Sequence, residues 1–280
     1  MERQREPLSR SRARDLTSAT NSLVKVFRRS LAEGVTPEGW LAVEGPHILE
    51  EALKPGARAT VHSVLIAQTA AEEHRKLLAR LPRQTELARV PDRLFRQLAQ
   101  TQAPQGIAAL IELHPADLKS VLTRPDAILV VACGLQDPGN MGAIIRSGDA
   151  LGAGGVITVT NTVNPFNPKA VRSCSGAILR LPVFANLQPD VLFQLLRASG
   201  IRIVAADRHS PLAVSEADLR GPVAVLVGRE AAGLPPEILR EADQLLSIPI
   251  RAEADSINAA TAAGVFLYEI ARQRGFRYPS

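Results

Sequence analysis

Residues 128–146 read ILVVACGLQDPGNMGAIIR, passing from an apolar run through a turn into a helical pattern. The run at 128–132 is apolar without interruption, as expected for a parallel strand covered on both faces. Similar strands are predicted at 156–160, 178–183, 201–206, 223–227 and 245–250. Helices are predicted between or after them, at 141–151, 168–174, 190–199, 235–241 and 255–274. This alternation predicts a doubly wound α/β domain over residues 127–280.

The residues before this domain change pattern every ten to fifteen positions, which is typical of a smaller α/β module over 15–114. Its predicted strands lie at 40–43, 61–67 and 106–111. Its predicted helices lie at 46–53, 70–79 and 92–98, after a first helical face at 23–31. Residues 1–14 show no hydrophobic period and predict a flexible basic arm. The polar, proline-bounded segment 115–126 predicts a linker.

The overall composition excludes several protein classes. With 280 residues and 46% hydrophobic content, the chain is neither disordered nor collagen-like. It lacks an apolar run of the roughly 18 residues that a membrane span needs, and its N-terminus does not resemble a signal peptide. Cys133 and Cys174 are too few for a disulfide framework, and the five histidines lack ligand spacing. We therefore expect a cytoplasmic protein with no membrane segment and no metal.

Positive charge is concentrated at the N-terminus. The chain has 33 Lys+Arg against 28 Asp+Glu, a net charge of +5, and residues 1–30 hold eight bases against three acids. The remaining residues are therefore neutral overall. An Arg-rich arm favours a phosphate-bearing partner, because guanidinium pairs bidentately with phosphate. A solubilising tail explains the same charge.

The loops that follow the predicted strands lack the common nucleotide and hydrolase motifs. We find no G-x-G-x-x-G, no phosphate-binding G-x-x-x-x-G-K-[ST] and no G-x-S-x-G nucleophile elbow. Ligands of doubly wound sheets bind at the carboxyl ends of the strands, so these loops are still where a site is expected.

Three of these loops carry polar residues and glycines. In the first, Asn140 is predicted to cap a helix, with Arg146 on its early part. In the second, Gly228 and Gly233 bracket Glu230, and we expect Gly228 to permit close approach of a ligand. In the third, at 247–264, Asp255 and Ser256 are predicted caps of the last helix, and Asn258 leads a run of small residues. Each loop taken alone also has a simpler explanation. These are a solvated Arg for the first loop, an ordinary β–α turn for the second and tight helix packing for the third.

Taken together, the loops resemble the motifs of the SpoU (TrmH-type) RNA ribose 2′-O-methyltransferases of the SPOUT class. The motifs stand here as Asn140-x-Gly142-x-x-x-Arg146, Gly228-x-Glu230-x-x-Gly233-Leu234 and Ile248-Pro249-Ile250 … Ser256-Ile257-Asn258. They occur in the family's order and cover the second domain. The module at 15–114, with Gln105-Gly106-Ile107 in its last strand, is similar to the L30e-like RNA-binding domain of many members.

The resemblance implies an α/β fold with a trefoil-knotted parallel-sheet domain after an L30e-like domain. It implies an obligate homodimer that holds S-adenosylmethionine and methylates a ribose 2′-hydroxyl in structured RNA. The implied catalytic residues are Asn140, Arg146, Glu230 and Asn258. The implied cofactor-binding residues are Leu226, Gly228, Ile248, Ser256 and Ile257.

Two mechanisms and several substrates are compatible with these residues. Arg146 either acts as the base or, charged, binds phosphate and stabilises the developing alkoxide, and we favour the second because guanidinium normally stays protonated. We favour 23S ribosomal RNA as the substrate over transfer RNA. The alternative from another class is a non-catalytic RNA-binding or ribosome-associated protein of the same fold.

Overall fold

The structure is a computed structural model, and it describes residues 13–229 and 232–278. The chain divides into two compact units, residues 1–114 and 115–280. The predicted basic arm falls mostly on residues 1–12, which lie outside the described ranges, whereas Arg14 belongs to a short strand. In the part of the chain that the structure describes, no helix is long and apolar enough to cross a bilayer.

Unit 1 contains a mixed five-stranded sheet. Its strands are β1 (Ala13–Asp15), β2 (Trp40–Glu44), β3 (Ala59–Ala67), β4 (Glu86–Val90) and β5 (Ile107–Leu113), in the order β1-β4-β3-β5-β2. The helices are α1 (Ser22–Glu33), α2 (Pro46–Ala52), α3 (Ala70–Glu73), α4 (Arg75–Leu78) and α5 (Asp92–Leu98). Strands β1 and β4 were not predicted, because charged residues interrupt both and leave no apolar run. The helix predicted at 70–79 is divided at His74.

Unit 2 is built on a six-stranded sheet in which every pair of neighbouring strands is parallel, so the predicted α/β class is confirmed. Its strands are β6 (Ile128–Ala132), β7 (Gly155–Val159), β8 (Val183–Leu187), β9 (Arg202–Ala206), β10 (Val223–Val227) and β11 (Gln244–Leu246). Its helices are α6 (Leu118–Leu122), α7 (Pro138–Ala150), α8 (Pro168–Ser173), α9 (Pro189–Ala198), α10 (Pro236–Leu239) and α11 (Ala259–Gln273). The order of the strands is β11-β9-β10-β6-β7-β8.

The strand predicted at 178–183 is wrong. Ala177–Leu179 form a short 3₁₀ turn after the left-handed Gly176, and the neighbouring strand β8 begins only at Val183. The apolar residues of this turn are buried, so their pattern reflects burial in the core rather than an extended chain. Pro182, directly before β8, has no backbone N–H to donate to a sheet.

Two further segments differ from expectation. The predicted linker 115–126 contains helix α6, and its Val121 and Leu122 are buried in the core of unit 2. The strand predicted at 245–250 is confined to β11, which ends at Leu246, and Pro249 cannot donate a ladder hydrogen bond.

The order of the strands brings together the loops that the sequence singled out. Strands β6 and β10 are central neighbours, β9 lies beside β10, and β11 lies beside β9. Because these strands are parallel, the loops at their carboxyl ends emerge at one edge of the sheet. The loops after β6, β10 and β11 are the three that were predicted to carry the site.

Candidate functional site

The first loop leads into helix α7, which starts earlier than predicted. Its N-cap is Asp137, whose carboxylate accepts a hydrogen bond from the backbone N–H of Gly139 at 3.1 Å. The Lys169 ammonium lies 2.7 Å from the same carboxylate, and this hydrogen bond lowers the pKa of Asp137. Asn140 is therefore a residue of the first helical turn rather than the cap, which leaves its side chain available for other contacts.

The third loop ends at Asn258, which caps helix α11. Its side-chain oxygen accepts hydrogen bonds from the backbone N–H groups of Ala260 and Thr261, at 2.9 and 3.2 Å. The prediction that Asp255 and Ser256 cap this helix is wrong, because the helix begins only at Ala259. An asparagine in this position satisfies two of the N–H groups that a helix start leaves without partners.

A hydrogen bond joins these two helix starts. The Asn258 side-chain nitrogen donates to the Asn140 side-chain oxygen at 2.8 Å, across 118 positions of sequence. Helices α7 and α11 also pack against each other. The structure thus brings together two of the four residues predicted to be catalytic.

Arg146 lies on the same helix as Asn140 but away from this pair. It is the ninth of the 13 residues of α7, later than predicted, and its side chain is exposed. Six residues separate it from Asn140, which amounts to about 9 Å along the axis and about 120° around it. Within one chain, Arg146 therefore faces a different direction from the Asn140–Asn258 pair.

Gly142, between these two residues, is needed for packing. A Cβ atom at this position would lie 2.4 Å from the carbonyl oxygen of Ala170 and 2.5 Å from the Cβ of Ser173. Helices α7 and α8 thus approach so closely at this point that no side chain fits. The glycine of the first motif fixes where α8 lies against the helix that carries Asn140.

The second loop folds back on itself after β10. Arg229 and Gly233 exchange two backbone hydrogen bonds, of 3.0 and 2.8 Å, and Gly233 has a φ of 66°, as a tight turn requires. A Cβ on Gly228 would lie 2.4 Å from the carbonyl oxygen of Gly233, so this glycine is required by the backbone of the loop itself. Glu230, another of the four predicted catalytic residues, lies outside the described residues.

A cavity of about 280 Å³ opens at this edge of the sheet. Gly228, Ile248, Ser256 and Ile257, four of the five predicted cofactor residues, line it. The fifth, Leu226, has no exposed surface and packs into the core below. The other described lining residues are Ala206, Asp207, Arg208, His209, Val227, Arg229, Ala232, Gly233, Leu234, Leu239, Leu246, Ile250, Ala259, Ala262 and Phe266.

The cavity has the chemistry that S-adenosylmethionine requires. Side chains such as Leu234, Leu246 and Phe266 give it apolar walls that suit an adenine ring. Asp207 and Ser256 add polar groups that suit ribose hydroxyls and the charged amino-acid end of the cofactor. Its volume lies just below the roughly 300–1,000 Å³ typical of small-molecule sites. The residues present therefore fit this cofactor.

Three consecutive residues at the cavity were missed in the sequence. Asp207, Arg208 and His209 line it and directly follow β9, at the edge where the other loops emerge. The rule that ligands bind beyond the carboxyl ends of parallel strands points to them as well. Among the described residues, no group of three or more His, Cys, Asp or Glu side chains could hold a metal ion.

Comparison with known proteins identifies the family. The SpoU rRNA Methylase family matches residues 127–268, just over half of the chain. The chain is a member of this family. Residues 36–109 of this SpoU family member match the MRM3-like substrate binding domain.

Relatives of this family member include enzymes named for ribosomal RNA. A 23S rRNA (uridine(2479)-2′-O)-methyltransferase of Streptomyces viridochromogenes is 36% identical over 202 residues, 70% of each chain. The 23S rRNA (guanosine(2553)-2′-O)-methyltransferase RlmP of Bacillus subtilis is 27% identical, over 92% of this chain and 99% of its own. An uncharacterized tRNA/rRNA methyltransferase of Synechocystis is 32% identical, over 92% and 94%.

Solved structures of methyltransferases are similar to this chain over more than nine-tenths of its length. The SpoU methyltransferase AviRb from Streptomyces viridochromogenes, in complex with the cofactor AdoMet, has a TM-score of 0.81 and 31% identity, covering 91% of this chain and 98% of that one. An AdoMet-bound rRNA methyltransferase from Sinorhizobium meliloti has a TM-score of 0.79 and 28% identity, covering 94% and 98%.

Proposed function

We propose that this protein transfers a methyl group from S-adenosylmethionine to a ribose 2′-hydroxyl of 23S ribosomal RNA. The observation that carries the proposal is the Asn140–Asn258 hydrogen bond beside the cavity, since Ile257 and Ala259 on either side of Asn258 line it. Polar groups that position a hydroxyl thus adjoin a cavity that fits the methyl donor. A cytoplasmic location belongs to the same proposal, because ribosomal RNA is the substrate it assigns.

The chain's own residues position the hydroxyl from which a proton is lost. Bound S-adenosylmethionine supplies a methyl group on a sulfonium, which is already activated for transfer. Asn140 and Asn258 would orient the ribose 2′-oxygen toward the cavity that would hold this donor, and positioning of this kind lowers the barrier substantially. As the oxygen–carbon bond forms, the carbon–sulfur bond would break with its electron pair going to sulfur, and the hydroxyl proton would pass to solvent water, since a charged Arg146 cannot accept it. Glu230 is proposed to orient groups around the same point.

Arg146 is proposed to stabilise the charge that develops on the 2′-oxygen. Guanidinium groups are not deprotonated in proteins, and a charged one stabilises an alkoxide and binds the neighbouring phosphate. Arg146 as the base is the second version, and it requires surroundings that remove water from the guanidinium.

We propose a homodimer in which a second subunit completes the site. Arg146 is not among the described residues that line the cavity of its own chain, and it lies about 120° around helix α7 from Asn140. Unit 2 also exposes large apolar side chains, including Tyr268 on α11 and Phe276 after it, which contact each other. A trefoil knot in unit 2 stays a prediction from the family resemblance.

Unit 1 and the arm at 1–14 are proposed to bind the RNA and select the nucleotide. The match of residues 36–109 to a substrate-binding domain supports this division of work. Contacts to phosphates position an RNA, and the 2′-hydroxyl distinguishes it from DNA. Transfer RNA is the second candidate substrate, since some relatives are named for both RNAs. A non-catalytic RNA-binding protein is disfavoured by the intact Asn140, Arg146 and Asn258.

The replacement Arg146→Ala tests the proposal directly. We expect it to abolish methylation of ribosomal RNA while calorimetry still records binding of S-adenosylmethionine. Arg220→Ala is the matched control, because Arg220 is exposed and pairs locally with Asp218. Mapping 2′-O-methyl nucleotides in RNA from cells with and without the gene identifies the nucleotide. An Arg146→Ala enzyme of full activity would remove Arg146 from the mechanism, and a wild-type protein that binds no cofactor would refute the proposed function.

A further inference from the structure

The segment 248–258, here called the cavity loop, forms one wall of the cavity with little backbone support. It contributes Ile248, Ile250, Ser256 and Ile257 to the lining. Within positions 248–257, one backbone–backbone hydrogen bond is found in the described structure, from Ala254 N–H to Arg251 at 3.0 Å. Residues 249–256 are exposed. A segment with so few internal bonds needs support from elsewhere to keep one conformation.

Arg208, which also lines the cavity, provides this support. Its guanidinium donates from Nη1 to the backbone carbonyl of Asp255 at 2.6 Å, across 47 positions of sequence. Its Nε donates to the Nε2 of His209 at 3.1 Å. The turn itself is held by the Asp207 carboxylate, which accepts from the His209 backbone N–H at 3.1 Å. The two guanidinium bonds orient the planar group toward the cavity loop.

The Arg208–Asp255 hydrogen bond lies next to the residues of the cavity loop that line the cavity. Asp255 directly precedes Ser256 and Ile257, which line the cavity, and Asn258, which bonds Asn140. Fixing the Asp255 carbonyl therefore constrains both the cofactor wall and the approach to the Asn140–Asn258 pair. Preorganisation of a binding wall raises affinity, because less conformational freedom is lost when the ligand binds.

We propose that Arg208 is a positioning residue that holds the cavity loop closed against the cofactor site. The inference rests on the proposed function, in that S-adenosylmethionine is the ligand of this cavity. Arg208 acts through the loop and not on the reacting atoms, so its loss affects cofactor affinity more than the methyl-transfer step. Its partner is a neutral carbonyl and its neighbour a histidine ring, an arrangement that uses the shape of guanidinium as well as its charge.

The test compares Arg208→Ala and Arg208→Lys with Arg220→Ala, whose arginine bonds only Asp218 among the described residues. In Arg208→Ala, we expect binding of S-adenosylmethionine in calorimetry to weaken about 10-fold, as the loss of a charged hydrogen bond predicts. The KM for the cofactor should rise while kcat changes less. Hydrogen exchange at the Ala254 amide, which donates the one backbone hydrogen bond of this segment, should become faster in the unliganded protein. Arg208→Lys should recover part of the affinity, because an ammonium still reaches one carbonyl.

Each result separates this inference from the proposed function. Wild-type affinity and unchanged exchange of the Ala254 amide in Arg208→Ala would overturn the role of Arg208. A loss of RNA affinity with unchanged cofactor binding would overturn it too, since Arg208 would then be a phosphate contact. If the wild-type protein itself shows no heat with S-adenosylmethionine, the proposed function fails. In that case the exchange rate of the Ala254 amide in the unliganded Arg208 variants decides alone. An unchanged rate would show that the Arg208–Asp255 hydrogen bond does not support the cavity loop.

Discussion

Asn258 uses both ends of its side-chain amide. The oxygen accepts from two backbone N–H groups of α11, and the nitrogen donates to Asn140. An aspartate at this position keeps the acceptor and so keeps the helix cap, but it has no donor for Asn140. Capping and the link to α7 can therefore be separated by substitution.

Replacement of Asn258 should distinguish its two roles. Asn258→Ala is expected to lower the free energy of unfolding by about 1 kcal/mol through loss of the cap, and to lower the methylation rate. Asn258→Asp should unfold close to the wild-type temperature, yet methylate slowly because two side-chain oxygens then face each other. Thermal unfolding and single-turnover methylation measure the two effects. A wild-type rate in Asn258→Asp would show that the donor to Asn140 is dispensable.

At the scale of the elements, α7 is held between two neighbours. It packs against α8 at Gly142 and is joined to α11 through Asn140. The close approach at Gly142 explains why the first motif contains a glycine at this position. The position of Asn140 therefore depends on how closely α7 and α8 pack at Gly142.

Gly142→Ala should disturb this packing, whereas Gly264→Ala should not. The added methyl group at Gly142 meets backbone and a short side chain, and overpacking of this kind costs about 1–3 kcal/mol. At Gly264 in α11, the methyl group would lie 3.9 Å from the Ser147 hydroxyl, with no closer contact, and alanine favours the helix by about 0.8–1.0 kcal/mol. Denaturant unfolding of both variants measures the difference. Equal stability of the two variants would contradict the packing at Gly142.

At the scale of the whole molecule, the interior of unit 2 contains both cysteines. Cys133 is 1% exposed and Cys174 has no exposed surface. Burial raises the pKa of Cys133 to about 12 and also raises that of Cys174. Neither thiol is therefore ionised at neutral pH, as expected of small residues buried in the core.

Thiol labelling should consequently report the opening of unit 2. At pH 8, a thiol reagent such as DTNB is expected to label neither cysteine in the native protein, because only the thiolate reacts. In concentrated guanidinium chloride both should react at once. Spectrophotometric counting of released thiolate measures this. Rapid labelling under native conditions would contradict the burial of these side chains.

Much of the architecture follows from local pattern. The runs at 128–132 and 223–227 form strands with the predicted bounds, since an uninterrupted apolar run can be buried only inside a covered sheet. The strand prediction at 178–183 is wrong because a buried turn and a buried strand have the same apolar composition. Strand β4 was missed because its neighbours β1 and β3, not its own pattern, make it a strand.

The sequence by itself determined the class of the fold, the three loops and the residue types that a methyl-transfer site needs. These features depend on neighbours along the chain, where hydrophobic period and turn residues act. Only the tertiary structure decided that Asn258 bonds Asn140 and that Arg208 bonds the Asp255 carbonyl. Such contacts join residues that are far apart in the chain, and strand order and helix packing, which no local pattern encodes, bring them within hydrogen-bonding distance.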